Sequence, residues 1–363
     1  MIIHRHLAAV IAVIAAVALF ASDAGAQRSD SSLPAIDSTS LWNTLGALSA
    51  DSMEGRGVGS RGSAAARALL VQRLAAAGLV PLAPGYVHPF AVKGRDTTVR
   101  EGVNVLAMVR GADTSRVLVV SAHYDHLGVR GGEVYNGADD NASGTAAVLA
   151  LAEFYARHAP RHSIVFAFFD GEESGLRGAR AFVAAPPVPM ARIAADVNLD
   201  MVARLDKGEL YAAGATPYPF FRPLLEATAA VAPVTLLLGH DTNAQGPHLN
   251  WINQSDHWAF HAVGVPFVCF GVEDHPDYHR ATDDFAKVDA GRYVNSVRTI
   301  ADFVRRLDQS LTPEIALRRR RRPDVHRLVR LAHVRRMRVG IGVDRHAGHA
   351  ELAAGADDAH RDL

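Results

Sequence analysis

Cysteine is almost absent from this chain: among 363 residues there is one, Cys269. A single cysteine cannot form an intramolecular disulfide, and because it lies in an apolar run, residues 265–270, we expect a buried structural thiol. Aromatic residues make up 7% of the chain and the formal net charge is zero. A balanced charge gives no general reason to expect nucleic acid or other acidic partners. With 49% apolar residues, the chain is nevertheless long enough to bury a large core.

The balanced charge conceals an uneven distribution. Residues 313–363 contain 12 arginines, no lysine and seven acids, so this tail carries about +5 (12 − 7) and the rest of the chain about −5. Five consecutive arginines occupy residues 318–322, a pattern that suits attachment to nucleic acid or lipid head groups. Because dense like charges repel one another, we instead expect a disordered or loosely helical appendage and no nucleic-acid partner.

The N-terminal residues have the pattern of a secretory signal peptide. A basic start that includes Arg5 precedes an apolar stretch over residues 7–20, and Ala24 and Ala26 place small residues at positions −3 and −1 of a cleavage site. An uncleaved membrane anchor is the alternative, but these 14 apolar residues are short for a bilayer. We therefore expect removal of residues 1–26, no stable membrane anchor afterwards, and an exported protein that is periplasmic or extracellular.

The rest of the chain divides into a polar, flexible lead-in over residues 27–40, a catalytic body over residues 41–311 and the arginine-rich tail over residues 312–363. Helical patterns within the body alternate with short apolar runs that are typical of buried strands. The helix candidates are residues 64–77 and 146–155, and the strand candidates are residues 117–121, 164–169, 197–199 and 265–270. This alternation predicts a single α/β domain whose mostly parallel, twisted sheet is covered by helices on both faces.

Five candidate metal ligands stand in order along this body. His123, Glu173, Asp200 and His279 each follow a strand candidate, and the carboxyl ends of parallel strands share one edge of a sheet. Asp140 comes just before a helix, in a glycine-flanked segment that allows a tight turn. Two imidazoles and three carboxylates are enough to hold two Zn²⁺ ions if one carboxylate is shared.

A further acid, Glu172, directly precedes Glu173 and is not needed as a ligand. A spare carboxylate beside a pair of metal ions is suited to moving the proton of an activated water. Each residue alone has a simpler explanation, such as a partly buried histidine, a helix cap at residues 139–140 or a solvated pair of glutamates. His275 also competes with His279 as a ligand. The combined order of the set nevertheless indicates a paired metal site.

At these residues the chain resembles the secreted bacterial di-zinc aminopeptidases of metallopeptidase family twenty-eight. The resemblance extends from about residue 48 to residue 307, and the combination of segments is specific although each piece alone is weak. The segments that carry it are His123-Tyr124-Asp125, Gly137 to Gly144, Gly171 to Gly178, Asn198-Leu199-Asp200-Met201, Ser255-Asp256-His257 and Tyr278-His279, together with Met53-Glu54-Gly55-Arg56. The arginine-rich tail has no counterpart that we recognise in this family.

The resemblance implies a zinc-exopeptidase fold and an aminopeptidase that acts on peptides with a free N-terminus. It also implies two Zn²⁺ ions per chain, with Co²⁺ able to substitute, which Asp140 would bridge. His123 and Asp200 would complete the ligands of one ion, and Glu173 and His279 those of the other. The peptide bond after Asp140 is expected to be cis.

The same resemblance implies the roles of the neighbouring polar groups. Glu172 would act as the general base, taking a proton from the water that becomes the bridging hydroxide and passing it to the leaving amine. Tyr278 would hydrogen-bond the developing oxyanion. Asp125 and Asp283 would support the two ligand histidines from behind, and Asp256 would belong to the same outer layer.

Three other functions share parts of this pattern. Glutaminyl cyclases share the His-Tyr-Asp and Asp-Gly-Glu-Glu segments but use one zinc ion to close a ring. They lack the Asp-Asn-Ala-Ser-Gly continuation found here and have Trp at the position of Tyr278. Carboxypeptidases of the same clan need a basic cluster for the substrate carboxylate, which the sequence leaves open. A receptor-like relative without activity would have lost metal ligands, whereas all five are present.

Overall fold

The computed structural model describes residues 33–93, 98–244, 246 and 249–311. The predicted signal peptide at residues 1–26 and the arginine-rich tail at residues 312–363 therefore lie outside the described residues, as do residues 27–32 of the lead-in. All candidate site residues named above lie within them.

The central element is one large sheet. The described residues form eleven strands: β1 (Val80–Pro81), β2 (Val87–Lys93), β3 (Val99–Val109), β4 (Asp113–His123), β5 (Gly128–Arg130), β6 (Glu133–Tyr135), β7 (His162–Phe169), β8 (Ile193–Leu199), β9 (Glu209–Ala213), β10 (Thr235–Leu238) and β11 (Phe267–Gly271). Nine of them form the sheet, in the order β1-β3-β7-β4-β8-β11-β9-β10, with β2 also paired to β3. β5 and β6 form a separate two-stranded ribbon.

Seven α-helices accompany the sheet in the described residues. They are α1 (Ser38–Leu48), α2 (Arg61–Ala76), α3 (Gly144–Arg157), α4 (Arg177–Ala184), α5 (Arg222–Ala229), α6 (His257–Ala262) and α7 (Ala290–Ser310). Two shorter turns matter for the site. A 3₁₀ turn, Asp51–Arg56, follows α1, and a π-type turn, Ala138–Ser143, leads into α3.

The parallel part of the sheet lies in its middle. β4 runs parallel to both β7 and β8, β8 runs parallel to β11, and β9 runs parallel to β10. The pairings of β3 with β1, β2 and β7, and of β9 with β11, are antiparallel. The α/β architecture predicted from the sequence is confirmed, and the four strand candidates correspond to β4, β7, β8 and β11. Antiparallel strands account for four of the eight pairings, which the prediction of a mostly parallel sheet did not anticipate.

Alternate residues of the central strands pack on opposite faces of the sheet. Leu118, Val120 and Ala122 of β4 belong to a core shared with α1, α2, α3, α5 and α7. Val117 and Val119 belong to a second core shared with α4 and α6. Because both faces are covered, the strand must be apolar throughout, which explains the continuous apolar runs in the sequence.

The single cysteine lies inside this structure, as predicted. Cys269 of β11 is 3% exposed and packs with Ala213 and Phe267. Burial raises the pKa of its thiol well above the usual value. A thiol that is kept protonated in this way is a core residue rather than a reactive one.

Candidate metal centre

The candidate site lies where the parallel strands of the middle of the sheet end. His123 is the last residue of β4, and Asp200 directly follows β8. Glu172 and Glu173 follow β7, and His279 lies in the loop after β11. Strands that are neighbours in the sheet and parallel deliver their following residues to one edge, so residues that are distant in sequence meet there.

One donor group consists of His123, Asp140 and Asp200. Nε2 of His123 lies 3.3 Å from Oδ1 of Asp200 and 3.4 Å from Oδ1 of Asp140. The Nδ1 atom of the same ring donates to the backbone carbonyl of Asp125 at 3.1 Å. That hydrogen bond orients the ring and leaves the lone pair of Nε2 facing the two carboxylates. Asp125 thus contacts the His123 ring through its backbone oxygen, while its carboxylate lies 3.7 Å away.

A second group meets the other oxygen of Asp140. Nε2 of His279 lies 3.1 Å from Oδ2 of Asp140 and 3.4 Å from Oε2 of Glu173. Asp140 therefore turns Oδ1 toward the first group and Oδ2 toward the second, which is the arrangement that a bridging carboxylate requires. The peptide bond between Asp140 and Asn141 is cis, as predicted.

His126 also faces this second group, although the sequence analysis did not select it. Its Nδ1 lies 2.8 Å from Oε1 of Glu173 and 3.7 Å from Oδ2 of Asp140. His126, Asp140 and Glu173 form a group of ligand atoms that could hold a metal ion. A signal was available in the sequence, because a second histidine three residues after His123 stands in the same turn beyond β4.

Two buried acids hold the loop that carries Asp140. The carboxylate of Asp283 accepts the N–H of Asp139 at 3.0 and 3.1 Å and that of Asp140 at 3.1 Å. Asp139 in turn lies 3.2 Å from Nε2 of His275, so His275 is engaged behind the site and His279 is the histidine that faces Asp140. We expected Asp283 to support His279; within the described residues it holds the loop instead. The carboxylate of Asp283 bonds backbone N–H groups, and the spacing of residues in the sequence does not show which backbone groups a side chain will reach.

A buried arginine ties the same loop to the N-terminal part of the body. Arg56 is fully buried, and its guanidinium donates to backbone carbonyl oxygens at 2.6–2.9 Å. The four acceptors belong to Leu48, Tyr124, Asn136 and Gly137. Burial lowers the pKa of Arg56 to about 10, while Asp140 and Asp283 favour its charged form. The early stretch at residues 53–56 therefore joins the end of α1, the end of β4 and the segment before Asp140.

Glu172 is placed as a free acid beside the donor groups. Its backbone N–H donates to Oδ1 of Asp125 at 3.0 Å, and the residue is partly exposed. Desolvation of its carboxylate raises the pKa of Glu172 well above the usual value, although His123 opposes this. Nearby, Asp256 is fully buried without a hydrogen-bond partner for either oxygen in the described part of the chain, and burial raises its pKa to about 7. A carboxyl group whose pKa is raised in this way is a stronger base than usual and is suited to proton transfer.

Tyr278 lies over the ring of His279. The two ring centroids are 3.9 Å apart and the planes meet at 25°. Partial burial raises the pKa of the Tyr278 hydroxyl well above its usual value, and the carboxylates of Asp140, Asp200 and Glu173 add to this effect. The hydroxyl is therefore a hydrogen-bond donor at neutral pH.

The residues present fit bound divalent cations. Three buried atoms of the second group, Nδ1 and Nε2 of His126 and Oε1 of Glu173, have no hydrogen-bond partner among the described residues. Unpaired buried polar atoms are costly and call for a partner such as an ion. Neutral imidazoles and carboxylates are ligands that Zn²⁺ takes in proteins, and both groups are built from them.

Comparison with known proteins agrees with this donor set. Residues 104–304 match the model of a family described as Peptidase family M28. A vacuolar membrane protease of Schizophyllum commune is 39% identical over 87 residues, which cover 24% of this chain and 9% of that protein. A "probable zinc metalloprotease" of Pyrenophora tritici-repentis is 36% identical over 102 residues, which cover 27% of this chain and 24% of that protein. The chain thus matches between about a tenth and a quarter of the length of these relatives.

Solved structures with the same fold include enzymes of two kinds. Glutaminyl cyclase from Porphyromonas gingivalis superposes with a TM-score of 0.62 at 20% identity, over 77% of this chain and 100% of that chain. A leucine aminopeptidase precursor from Bacteroides thetaiotaomicron gives 0.59 at 15% identity, over 75% and 98% of the two chains. A Zn-dependent exopeptidase from Parabacteroides distasonis gives 0.59 at 17% identity, over 76% and 99%. At these identities the likeness establishes the fold, which is that of zinc exopeptidases.

The comparisons also correct the predicted location. Several matching relatives are named vacuolar membrane proteases and come from fungi, which contradicts the periplasmic or extracellular location predicted from the sequence. The physical reason is that a short apolar segment such as residues 7–20 directs a chain to a membrane but carries no information on its final compartment. Within the described residues, no helix is both long and apolar enough to cross a membrane.

Proposed function

The chain belongs to peptidase family M28, whose model matches residues 104–304, and from this premise we propose that it is a zinc-dependent aminopeptidase. Its reaction is hydrolysis of the N-terminal peptide bond of peptides. The observation that carries the proposal is the convergence of two donor groups on the two oxygens of Asp140, with the free acid Glu172 beside them. This arrangement combines cation binding with a carboxylate that is available for proton transfer.

Two zinc positions follow from the donor groups. His123, Asp140 and Asp200 would hold one ion, and Asp140, Glu173 and His279 the other. When bound, zinc supplies Lewis acidity, which lowers the pKa of water and polarises a carbonyl group. Co²⁺ prefers similar ligands and would substitute at the same positions.

The protein's own residues move the protons. Glu172 takes a proton from the attacking water and delivers it to the nitrogen of the leaving amine. Its raised pKa makes the carboxylate a stronger base, which favours the first of these steps. The hydroxyl of Tyr278 donates a hydrogen bond to the oxygen of the substrate carbonyl as negative charge develops there.

The charge of the site favours a free N-terminus. Glu172 and Asp200 are partly exposed acids at the site, and Glu173 lies beside them. A free amine at the end of a peptide could offer its lone pair to a bound cation and its N–H groups to the neighbouring carboxylates, whereas an acylated amine has no free lone pair. Selection of chain ends is therefore expected to depend on an unblocked substrate amine.

The test is hydrolysis of a panel of aminoacyl chromogenic amides and their N-acetylated counterparts. We expect cleavage of the free amines alone, loss of activity with a chelator and recovery with Zn²⁺ or Co²⁺. Release of C-terminal residues from N-blocked peptides would instead identify a carboxypeptidase. Conversion of N-terminal glutamine into a ring without release of an amino acid would identify a cyclase, the activity named for one structure of the same fold.

A further inference from the structure

His126 is a buried histidine that the proposed reaction does not use. It lies three residues beyond His123, in the turn between β4 and β5, and is 2% exposed. Its ring faces Glu173 and Asp140 rather than the protein core, since Nδ1 lies 2.8 Å and 3.7 Å from their carboxylate oxygens. The centroid of the His279 ring is 5.9 Å from that of His126.

The contact between His126 and Glu173 has the length of a hydrogen bond but not its geometry. Nδ1 of His126 and Oε1 of Glu173 are 2.8 Å apart, yet neither atom has a hydrogen-bond partner among the described residues. Two lone-pair atoms this close together, without a hydrogen bond between them, repel each other unless a cation or a proton is shared between them. Two ligand atoms of one tetrahedral Zn²⁺ at about 2.0–2.2 Å are themselves about 3.3–3.6 Å apart, so a bound ion would require only a small separation of these two atoms.

The backbone is shaped to admit the ring. Gly137 has φ +54°, and a Cβ atom at this position would lie 2.4 Å from Cδ2 of His126 and 2.1 Å from the backbone oxygen of Asp140. Any residue with a side chain would displace either the imidazole or the loop that carries Asp140. The glycine therefore provides the space in which the ring reaches the second donor group.

We propose that His126 is a fourth protein ligand, through Nδ1, of the metal position formed by Asp140, Glu173 and His279. This inference rests on the proposed zinc centre. It implies that the two metal positions differ in their number of protein ligands. The His126 position has four protein donors, whereas the position at His123 and Asp200 has three. Sites with four protein ligands are closed and hold zinc tightly, while sites with three leave a place for water or substrate. We therefore assign tight, structural binding to the first position and exchangeable binding to the second.

The experiment is titration of the metal-free full chain with Zn²⁺ in competition with a chromophoric chelator. The wild-type protein should show one tight and one weaker class of site. His126→Ala should weaken the tight class by more than the ~10–100-fold that loss of an outer partner costs, and leave the weaker class unchanged. His162→Asn is the matched control, because His162 is equally buried but bonds Asp308 away from the site, and it should change neither class.

The variant His126→Asn tests whether His126 acts as a metal ligand or as a hydrogen-bond donor. An asparagine places an amide N–H close to the position of Nδ1, so it can still donate to Glu173 but its nitrogen cannot bind zinc. We expect the same loss of affinity as for His126→Ala. Wild-type affinity in either variant would overturn the inference, and failure of the wild-type chain to bind zinc would overturn the proposed function instead.

A measurement on the unmodified chain makes the inference independent of how the variants fold. X-ray absorption of wild-type protein loaded with one equivalent of Zn²⁺ counts the imidazoles around the ion. We expect two imidazoles, from His126 and His279. A single imidazole would overturn the assignment even if zinc binds with two different affinities.

Discussion

At the scale of single residues, Glu172 is the residue whose substitution should reduce catalysis without changing the structure. Glu172→Gln keeps the size of the side chain but removes its ability to accept a proton. Because Glu172 is not one of the donors around Asp140, the variant should keep its fold and its bound metal. General acid–base catalysis contributes about 10²–10⁴-fold, so kcat should fall by about this factor.

The measurement is steady-state hydrolysis of an aminoacyl amide, with metal content determined on the same samples. Glu226→Gln is a suitable control, since Glu226 is an exposed residue of α5 that, among the described residues, pairs only with Arg222, at 3.8 Å. That control should retain wild-type kcat. A Glu172→Gln variant with more than about a tenth of wild-type kcat would remove this residue from the role of general base.

His257 provides a pH dependence that does not involve a candidate metal ligand. The residue is fully buried, its Nε2 lies 2.8 Å from the backbone oxygen of Trp251, and its Nδ1 lies 3.4 Å from Nδ2 of Asn198. The neutral ring can donate from Nε2 and accept at Nδ1, whereas a protonated ring would oppose an N–H to the amide of Asn198. Burial accordingly lowers the pKa of His257 to about 4.

The unfolded chain therefore binds more protons at this residue than the folded chain between pH 6.5 and 4. The contribution of His257 to stability is complete above pH 6.5 and is lost as the pH falls toward 4. In metal-free protein, the free energy of unfolding should fall between pH 7 and 5 by about 2 kcal/mol more for wild type than for His257→Gln, in which the amide nitrogen replaces Nε2 without titrating. Urea denaturation at both pH values measures this difference, and parallel pH profiles for the two proteins would contradict it.

The candidate residues show what a sequence can predict about a site and where it stops. His123, Glu173, Asp200 and His279 could be selected because each follows a strand, and strand order brings such residues to one edge. His126 stands in the same turn as His123, which was a signal, but whether its ring reaches the site depends on the space that a glycine at residue 137 leaves. The contacts of Asp283 could not be predicted from the sequence either. They are made to backbone N–H groups, and the pattern of side chains does not show where a backbone group points.

At the scale of structural elements, the turn that ends at Arg56 is the main connection between the N-terminal helix and the site. Replacement of Arg56 by Met would leave four buried carbonyl oxygens without their donor. Each buried group left unpaired costs about 1–3 kcal/mol, so the free energy of unfolding should fall by at least about 3 kcal/mol. Arg56→Lys should lose less, since an ammonium group has three donors but cannot reach four acceptors.

Chemical denaturation of the variants measures this loss. Arg130→Met is the control: Arg130 is exposed, donates to one backbone oxygen at 3.2 Å and lies over the ring of Tyr135. Its replacement should change stability by no more than about 0.5 kcal/mol. Equal stability of the Arg56→Met and Arg130→Met proteins would mean that the carbonyl groups find other partners.

The sequence predicted strands whose residues are almost all buried, and it did not predict a strand that is partly exposed to solvent. β7, β8 and β11 are buried along their whole length and β4 is buried from residue 117 onward, so each contains a run that is mostly apolar. β3 begins with three exposed residues and forms part of the antiparallel side of the sheet, so its strand pattern is diluted by polar positions. An antiparallel strand that is partly open to solvent has polar residues at its exposed positions, which weakens the hydrophobic pattern by which a strand is recognised.

At the scale of the whole molecule, the described residues contain every candidate donor, and the core continues to Leu311, which is 4% exposed. A chain that ends after Leu311 should therefore keep its fold, its metal content and its peptidase activity. Thermal unfolding, metal analysis and kcat/KM of the shortened and full chains test this prediction. Loss of soluble protein, or a fall of more than half in kcat/KM, would show that residues 312–363 contribute to the catalytic body.

The position of β11 has a consequence for the timing of biosynthesis. β11 lies between β8 and β9 in the sheet, although both precede it in the chain, and His279 follows it. A polypeptide emerging from the ribosome has His123, Asp140 and Asp200 well before it has the strand that places His279 and Tyr278. Large domains fold as their segments become available, so the middle of this sheet cannot close until β11 has been made. The nascent chain is thus expected to be inert toward peptides in the compartment where it is translated, and to become a peptidase only when synthesis of its body is almost complete.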